Sequence, residues 1–112
     1  MTLHRGDLVT VAAKGAYTGK PRPALVIQAS ETLAYRDSVT LCLLTTELTD
    51  APLFRVRLAP SQLNGLTRPS DVMADKIVTV PRELISAKPF GCLGIDDLER
   101  LDLALRFWLS LP

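Results

Sequence analysis

Arg22 is the residue with the clearest chemical potential. It stands in Lys20-Pro21-Arg22-Pro23, and a proline on each side holds its backbone extended. A planar, permanently charged guanidinium presented in a fixed direction suits a phosphate. It equally suits a plain surface turn. Two further groups have the right types. Leu44-Thr45-Thr46-Glu47 carries hydroxyls able to hydrogen-bond a phosphate oxygen or orient a nucleophile, or simply to form a turn. Asp75, within Val72-Met73-Ala74-Asp75-Lys76-Ile77, is an acid among apolar residues, on a solvated face or held for a purpose.

What is missing narrows the chemistry. The single histidine, His4, cannot supply a two-histidine ribonuclease mechanism, and HExxH, GxSxG, P-loop and GxGxxG motifs are absent, which weakens protease, hydrolase and nucleotide-binding readings. Cys42 and Cys92 lie in no CxxC or Cys/His cluster, so a structural zinc is not expected. Cys42 sits in an apolar run and reads as a core thiol.

These residues need elements to position them. The 112 residues make one domain, 1–112, without repeat or linker. Apolar residues at 47% against 22% charged exclude a disordered chain. A net charge of +1 means that any phosphate binding comes from a local patch. No apolar run reaches the roughly 18 residues of a membrane span, and Met1–Asp7 lacks the apolar core of a signal peptide. A cytoplasmic protein with no membrane partner is expected.

Strands are expected at Asp7–Ala12, Pro23–Gln28, Ser38–Thr45 and Phe54–Leu58, the last with Phe54, Val56 and Leu58 inward and Arg55 and Arg57 outward. Lys14–Lys20 reads as a loop. Pro60–Gly65 reads as a helical turn closed by Asn-Gly. Asp71–Val80 is one long strand or two broken near Asp75, and Pro81–Ile85 is a further helical turn. A helix over Asp97–Leu109, capped by Asp96 with Glu99 three residues on, closes the chain. Leu98, Leu101, Leu105 and Trp108 form one stripe, and Leu103, Ala104, Phe107 and Leu111 make a second side apolar. One side would pack on the sheet, while the other is a candidate subunit contact with Trp108 in core or interface. The architecture expected is mainly β with α: a small, strongly bent antiparallel sheet or SH3-like barrel with a C-terminal helix.

The order and spacing of these strings resemble the MazF/PemK family of toxin ribonucleases. The resemblance runs from Gly6-Asp7-Leu8-Val9 through Lys20–Gln28, Leu43–Glu47 and Asp71–Ile77 to Leu93-Gly94 and the Leu-rich helix, nearly the whole chain. It implies the MazF/PemK/CcdB-like fold, a homodimer, a cognate antitoxin, and sequence-selective cleavage of single-stranded RNA by 2′-hydroxyl attack without metal or cofactor. It puts Arg22 at the family's arginine, Thr45 (or its neighbour Thr46) at its threonine, and Asp75 at an acid some members use. Two departures stand out: the loop has no histidine, and position 73 is Met where some members carry arginine. Lys14, Tyr17 and Lys20 from the loop, Thr46, and Arg55 and Arg57 would line the RNA groove. The alternative is a CcdB-type, gyrase-binding toxin of the same fold without nuclease activity.

Overall fold

The computed structural model describes residues 2–12 and 20–112. Its elements are β1 (Asp7–Val11), β2 (Arg22–Val26), α1 (Ser30–Leu33), β3 (Ser38–Thr45), β4 (Arg55–Leu58), β5 (Ser70–Pro81), a 3-10 turn (Arg82–Leu84), β6 (Gly91–Cys92) and α2 (Ile95–Leu109). All strand pairings are antiparallel, in one sheet of order β4-β5-β3-β2-β1-β6. The sheet curls into an open half-barrel with β4 and β6 at its edges.

Apolar residues bury both faces of the sheet centre, which is why Ala24, Leu25 and Val26 run without alternation. On one face Leu8, Leu25 and Cys42 sit side by side across β1, β2 and β3. They pack with Val56, Val72 and Ala74 against Leu101, Ala104 and Leu105 of α2. On the other, Val9, Ala24, Val26 and Leu41 pack under Leu3, Leu33 of α1 and Ile85.

β5 is one strand of twelve residues, not two, but its register against β3 shifts between Cys42 and Leu44. The irregular stretch contains Asp75. Arg55 departs from the outward-facing expectation: only 16% of its side chain is exposed, because carboxylates on β5 draw it in. Residues 60–65 make the single helical turn expected, closed by the bond of Gly65 N–H to the Ser61 carbonyl at 3.0 Å, and do not extend into a helix. They form a turn knotted by the Asn64 side chain, which accepts from Ser61 N–H and Leu66 N–H and donates to the Ala59 carbonyl.

α2 starts at Ile95, two residues before the expected start, with Gly94 as its N-cap and no side-chain cap bond. Asp96 and Asp97 therefore lie inside the first turn, where they complement the helix dipole instead of capping it. The helix closes on Ser110 in the left-handed conformation, with Leu111 N–H bonded to the Arg106 carbonyl at 2.9 Å. Among the described residues no helix is long and apolar enough to cross a membrane.

Candidate functional site

Strand register assembles the site. Ala24 pairs with Leu43, and continuing that register to the ends of β2 and β3 sets Arg22 opposite Thr45. Thr45 pairs with Asp71 on β5, and Asp71 with Arg57 on β4. Directly opposed residues share a face. Arg57, Asp71 and Thr45 thus form a row in direct register across three strands at one end of the sheet, and the extended β2–β3 register adds Arg22, itself paired with Val11 of β1.

The row is chemically uneven. At one end Arg22 is exposed, with Lys20 exposed just before it. Thr45 is half-buried; its Oγ1 accepts from Glu47 N–H at 3.0 Å, which leaves the hydroxyl proton free to donate. Thr46 is exposed beside it. At the other end Asp71 has no solvent exposure. Its Oδ1 accepts from Arg57 Nε at 2.5 Å and its Oδ2 from Thr49 N–H at 3.0 Å. Arg57 Nη2 donates to the Thr49 carbonyl at 3.2 Å, and Arg55 Nη1 stands 3.8 Å from Asp71 Oδ2.

Burial pushes the Asp71 carboxyl upward. The hydrogen bond from Arg57, the Thr49 N–H and the charges of Arg57 and Arg55 outweigh it and hold the group below the usual carboxylate range. Arg57 shifts upward, chiefly through its hydrogen bond to Asp71.

Asp75 pairs with Arg55, Nε to Oδ1 at 3.7 Å, too long for a hydrogen bond. Neither atom has another partner among the described residues. Its charge also reaches Cys42, whose thiol is pushed up to about 12, mainly by burial and further by Asp75, with Arg5 opposing. That thiol is no nucleophile near neutral pH.

The sequence-derived candidates therefore separate. Arg22 and Thr45 share a row; Asp75 and Arg55 form a half-buried pair with each other; Arg57 is bound to Asp71; and Lys14 and Tyr17 lie outside the described residues. Asp71 went unselected by sequence reasoning, since its meaning depends on Arg57 and Thr49, apart in sequence and adjacent only through the β4–β5 register. A groove of about 570 Å³ lies next to the Asp71 end of the row, lined by Leu53, Arg55, Arg57, Asp71, Leu103 and Phe107 among others, and by neither Arg22 nor Thr45.

Residues 4–109 match the family described as PemK-like, MazF-like toxin of type II toxin-antitoxin system. The chain is 45% identical over 109 residues to the probable endoribonuclease MazF of Mycolicibacterium smegmatis, covering 97% of this chain and 98% of that one. Among solved structures, it resembles a mycobacterial endoribonuclease in complex with its cognate antitoxin, at TM-score 0.82 and 22% identity, over 99% of this chain and 98% of that one. A MazE–MazF structure from Deinococcus radiodurans matches at TM-score 0.82 and 21% identity over 100% of both chains. At such identities these two show the fold alone, and it is the one expected.

Proposed function

Because the chain belongs to the PemK-like, MazF-like toxin family of type II toxin–antitoxin systems, we propose that it is an endoribonuclease toxin that cuts single-stranded RNA at chosen sequences, with Arg22 and Thr45 at the reacting phosphate. What supports this reading is an exposed Arg22 at the start of β2 and, at the end of the neighbouring strand β3, a Thr45 whose Oγ1 accepts from Glu47 N–H and so can still donate its own proton. The 45% identity to a probable endoribonuclease supports the activity. The family match favours this reading over a gyrase-binding toxin.

In the proposed reaction the ribose 2′-oxygen bonds to the adjacent phosphorus and the bond to the 5′-oxygen breaks, leaving a 2′,3′-cyclic phosphate and a 5′-hydroxyl. The 2′-hydroxyl loses one proton and the departing 5′-oxygen gains one, with water as the carrier, so neither a histidine pair nor a metal is needed. Arg22 stabilises the charge that builds on the phosphorane oxygens. The Thr45 hydroxyl donates to a second oxygen and fixes its orientation. Asp75 takes a positioning role, holding Arg55, in place of accepting a proton. Lys20, Thr46 and the outer face of Arg57 meet flanking phosphates, joined by Lys14 and Tyr17. The toxin works as a homodimer in the cytoplasm until a cognate antitoxin covers it, a partnership supported by the antitoxin complexes of its structural relatives.

The test is a cleavage assay on mixed-sequence single-stranded RNA in EDTA, with end-group analysis, beside Arg22→Ala. Products ending in 5′-hydroxyl and 2′,3′-cyclic phosphate are expected, with the variant folded and slower by at least about 100-fold. Equal rates for the two proteins remove Arg22 from the site. Intact RNA from folded, antitoxin-free protein overturns the nuclease reading itself.

A further inference from the structure

The proposed reaction leaves Asp71 without a task, although burying a carboxylate completely is costly unless its partners compensate. Those partners have a pattern. Asp71 Oδ2 takes the N–H of Thr49, Arg57 Nη2 takes the carbonyl of the same residue, and Asp71 binds Arg57. Two hydrogen bonds thus close on one residue of the segment between β3 and β4, and a third ties their two side chains together. That segment has little else to fix its near end. Its remaining backbone bonds gather at Thr49–Arg55, where Ala51 N–H bonds the Thr49 carbonyl and Phe54 and Arg55 N–H bond that of Ala51. Among the described residues, the one bond between Thr45 and Thr49 is that of Glu47 N–H to Thr45 Oγ1.

The consequence runs back along the chain. Where Thr49 is held decides where Glu47 N–H stands, and that N–H occupies an acceptor site of the Thr45 hydroxyl and so aims its proton. Asp71 is also the direct lateral neighbour of Thr45 in the sheet. We propose that Asp71 is a positioning residue for RNA cleavage: with Arg57 it clamps Thr49 and thereby sets the direction of the Thr45 hydroxyl relative to Arg22. The kinetic part of this inference rests on the ribonuclease reading above. The clamp itself does not.

The experiment compares wild type, Asp71→Asn, Thr45→Val and the double variant in single-turnover and steady-state cleavage, with hydrogen exchange at the Thr49 amide read by NMR. Asparagine has nearly the shape of aspartate and still offers an oxygen to Thr49, but the charge that gathers Arg57 is gone. The expected result is a kcat lower by about 10- to 100-fold with KM within about twofold, because Arg22 and Lys20 still hold the phosphates. Thr49 exchange speeds up by about tenfold or more. In the Thr45→Val background the Asp71 substitution costs less than about twofold, since the hydroxyl it directs is already gone. A merely structural role would give the same loss in both backgrounds, and that result overturns the proposal, as does unchanged kcat or a loss carried by KM.

Should Asp71→Asn fail to fold, Arg57→Lys supplies the second route. Lysine keeps the positive charge beside Asp71 but cannot reach both it and the Thr49 carbonyl, and the fall in kcat it causes is expected to shrink below about twofold in the Thr45→Val background; an equal fall in both backgrounds, or an unchanged kcat, overturns the proposal. A wild-type chain that leaves RNA intact refutes the ribonuclease reading and the kinetic role with it, while Thr49 exchange still decides the clamp.

Discussion

Asp71 and Cys42 are both buried ionisable groups, and their surroundings push them in opposite senses. Burial acts to raise the Asp71 pKa, but the Arg57 hydrogen bond, the Thr49 N–H and the two arginine charges leave it depressed. A carboxyl with a depressed folded pKa contributes stability above its unfolded value of about 4 and loses it as pH falls through the folded value. Urea midpoints measured from pH 6 down to pH 3 should therefore converge for wild type and Asp71→Asn as the solution becomes acid; a constant gap would show that the carboxylate charge is not what stabilises. Cys42 is the reverse case, raised to about 12 chiefly by burial. A disulfide reagent at pH 8 should titrate Cys92, which is half-buried, and reach Cys42 only after denaturation. Rapid reaction of two thiols in the native protein would contradict the burial. The Cys42 environment was legible in the sequence, because a thiol inside Leu41-Cys42-Leu43-Leu44 has apolar neighbours wherever the strand goes. The extended backbone of Arg22 was legible through its prolines. Asp71 was not: nothing within a few positions distinguishes it from any acid at the start of a strand.

At the level of elements, the signals read correctly were the local ones. The apolar run after Pro23, the alternation over 55–58 and the helical stripe at the C-terminus each carry their period in adjacent residues. β6 is two residues long and has no period to read; α1 is a single turn. Residues 60–65 make one helical turn, Gly65 N–H bonding the Ser61 carbonyl at 3.0 Å, and tertiary contact stops it there. Cys92 N–H bonds the Leu63 carbonyl, and a Cβ at Gly91 would fall 2.2 Å from the Asn64 carbonyl oxygen. Gly65 has φ +67°, and a Cβ there would fall 2.3 Å from the Phe90 carbonyl oxygen. The turn and β6 are one unit. Asn64→Ala removes three side-chain bonds from a buried site and should cost about 2–3 kcal/mol, a fall in Tm of roughly 10 °C. Gly91→Ala should cost as much or more by backbone collision. Thermal unfolding followed by circular dichroism checks both, and a Tm shift under about 2 °C for either would mean that β6 docks without the turn.

Among the described residues, the exposed side of α2 is an apolar surface that the fold of one chain does not explain. The helix buries Leu101, Ala104 and Leu105 against the sheet and leaves Leu103, Phe107, Leu109 and Leu111 exposed. Trp108, expected in core or interface, is half covered, tilted against Phe54 at 5.2 Å between ring centroids, so its stripe is core at the middle and open toward the end. With Leu53 alongside, these side chains make an apolar patch of the kind that marks an association site on a soluble domain. The proposed homodimer gives the patch an occupant. If Leu103 and Phe107 are buried between protomers, each contributes about 1.5–3 kcal/mol per copy. Leu103→Glu with Phe107→Glu, which also introduces like charges, should then weaken self-association by at least about 10³-fold and give monomers at micromolar concentration in sedimentation equilibrium. The row of Arg22, Thr45, Asp71 and Arg57 belongs to one chain, and the arginine and acid that clamp Thr49 lie on strands that the helix packs behind. The monomer should accordingly keep slow exchange at the Thr49 amide. A variant that remains dimeric would move the protomer contact off α2, leaving the patch for the antitoxin; a variant that is monomeric but loses protection at Thr49 would mean that the clamp is held in place from across the interface.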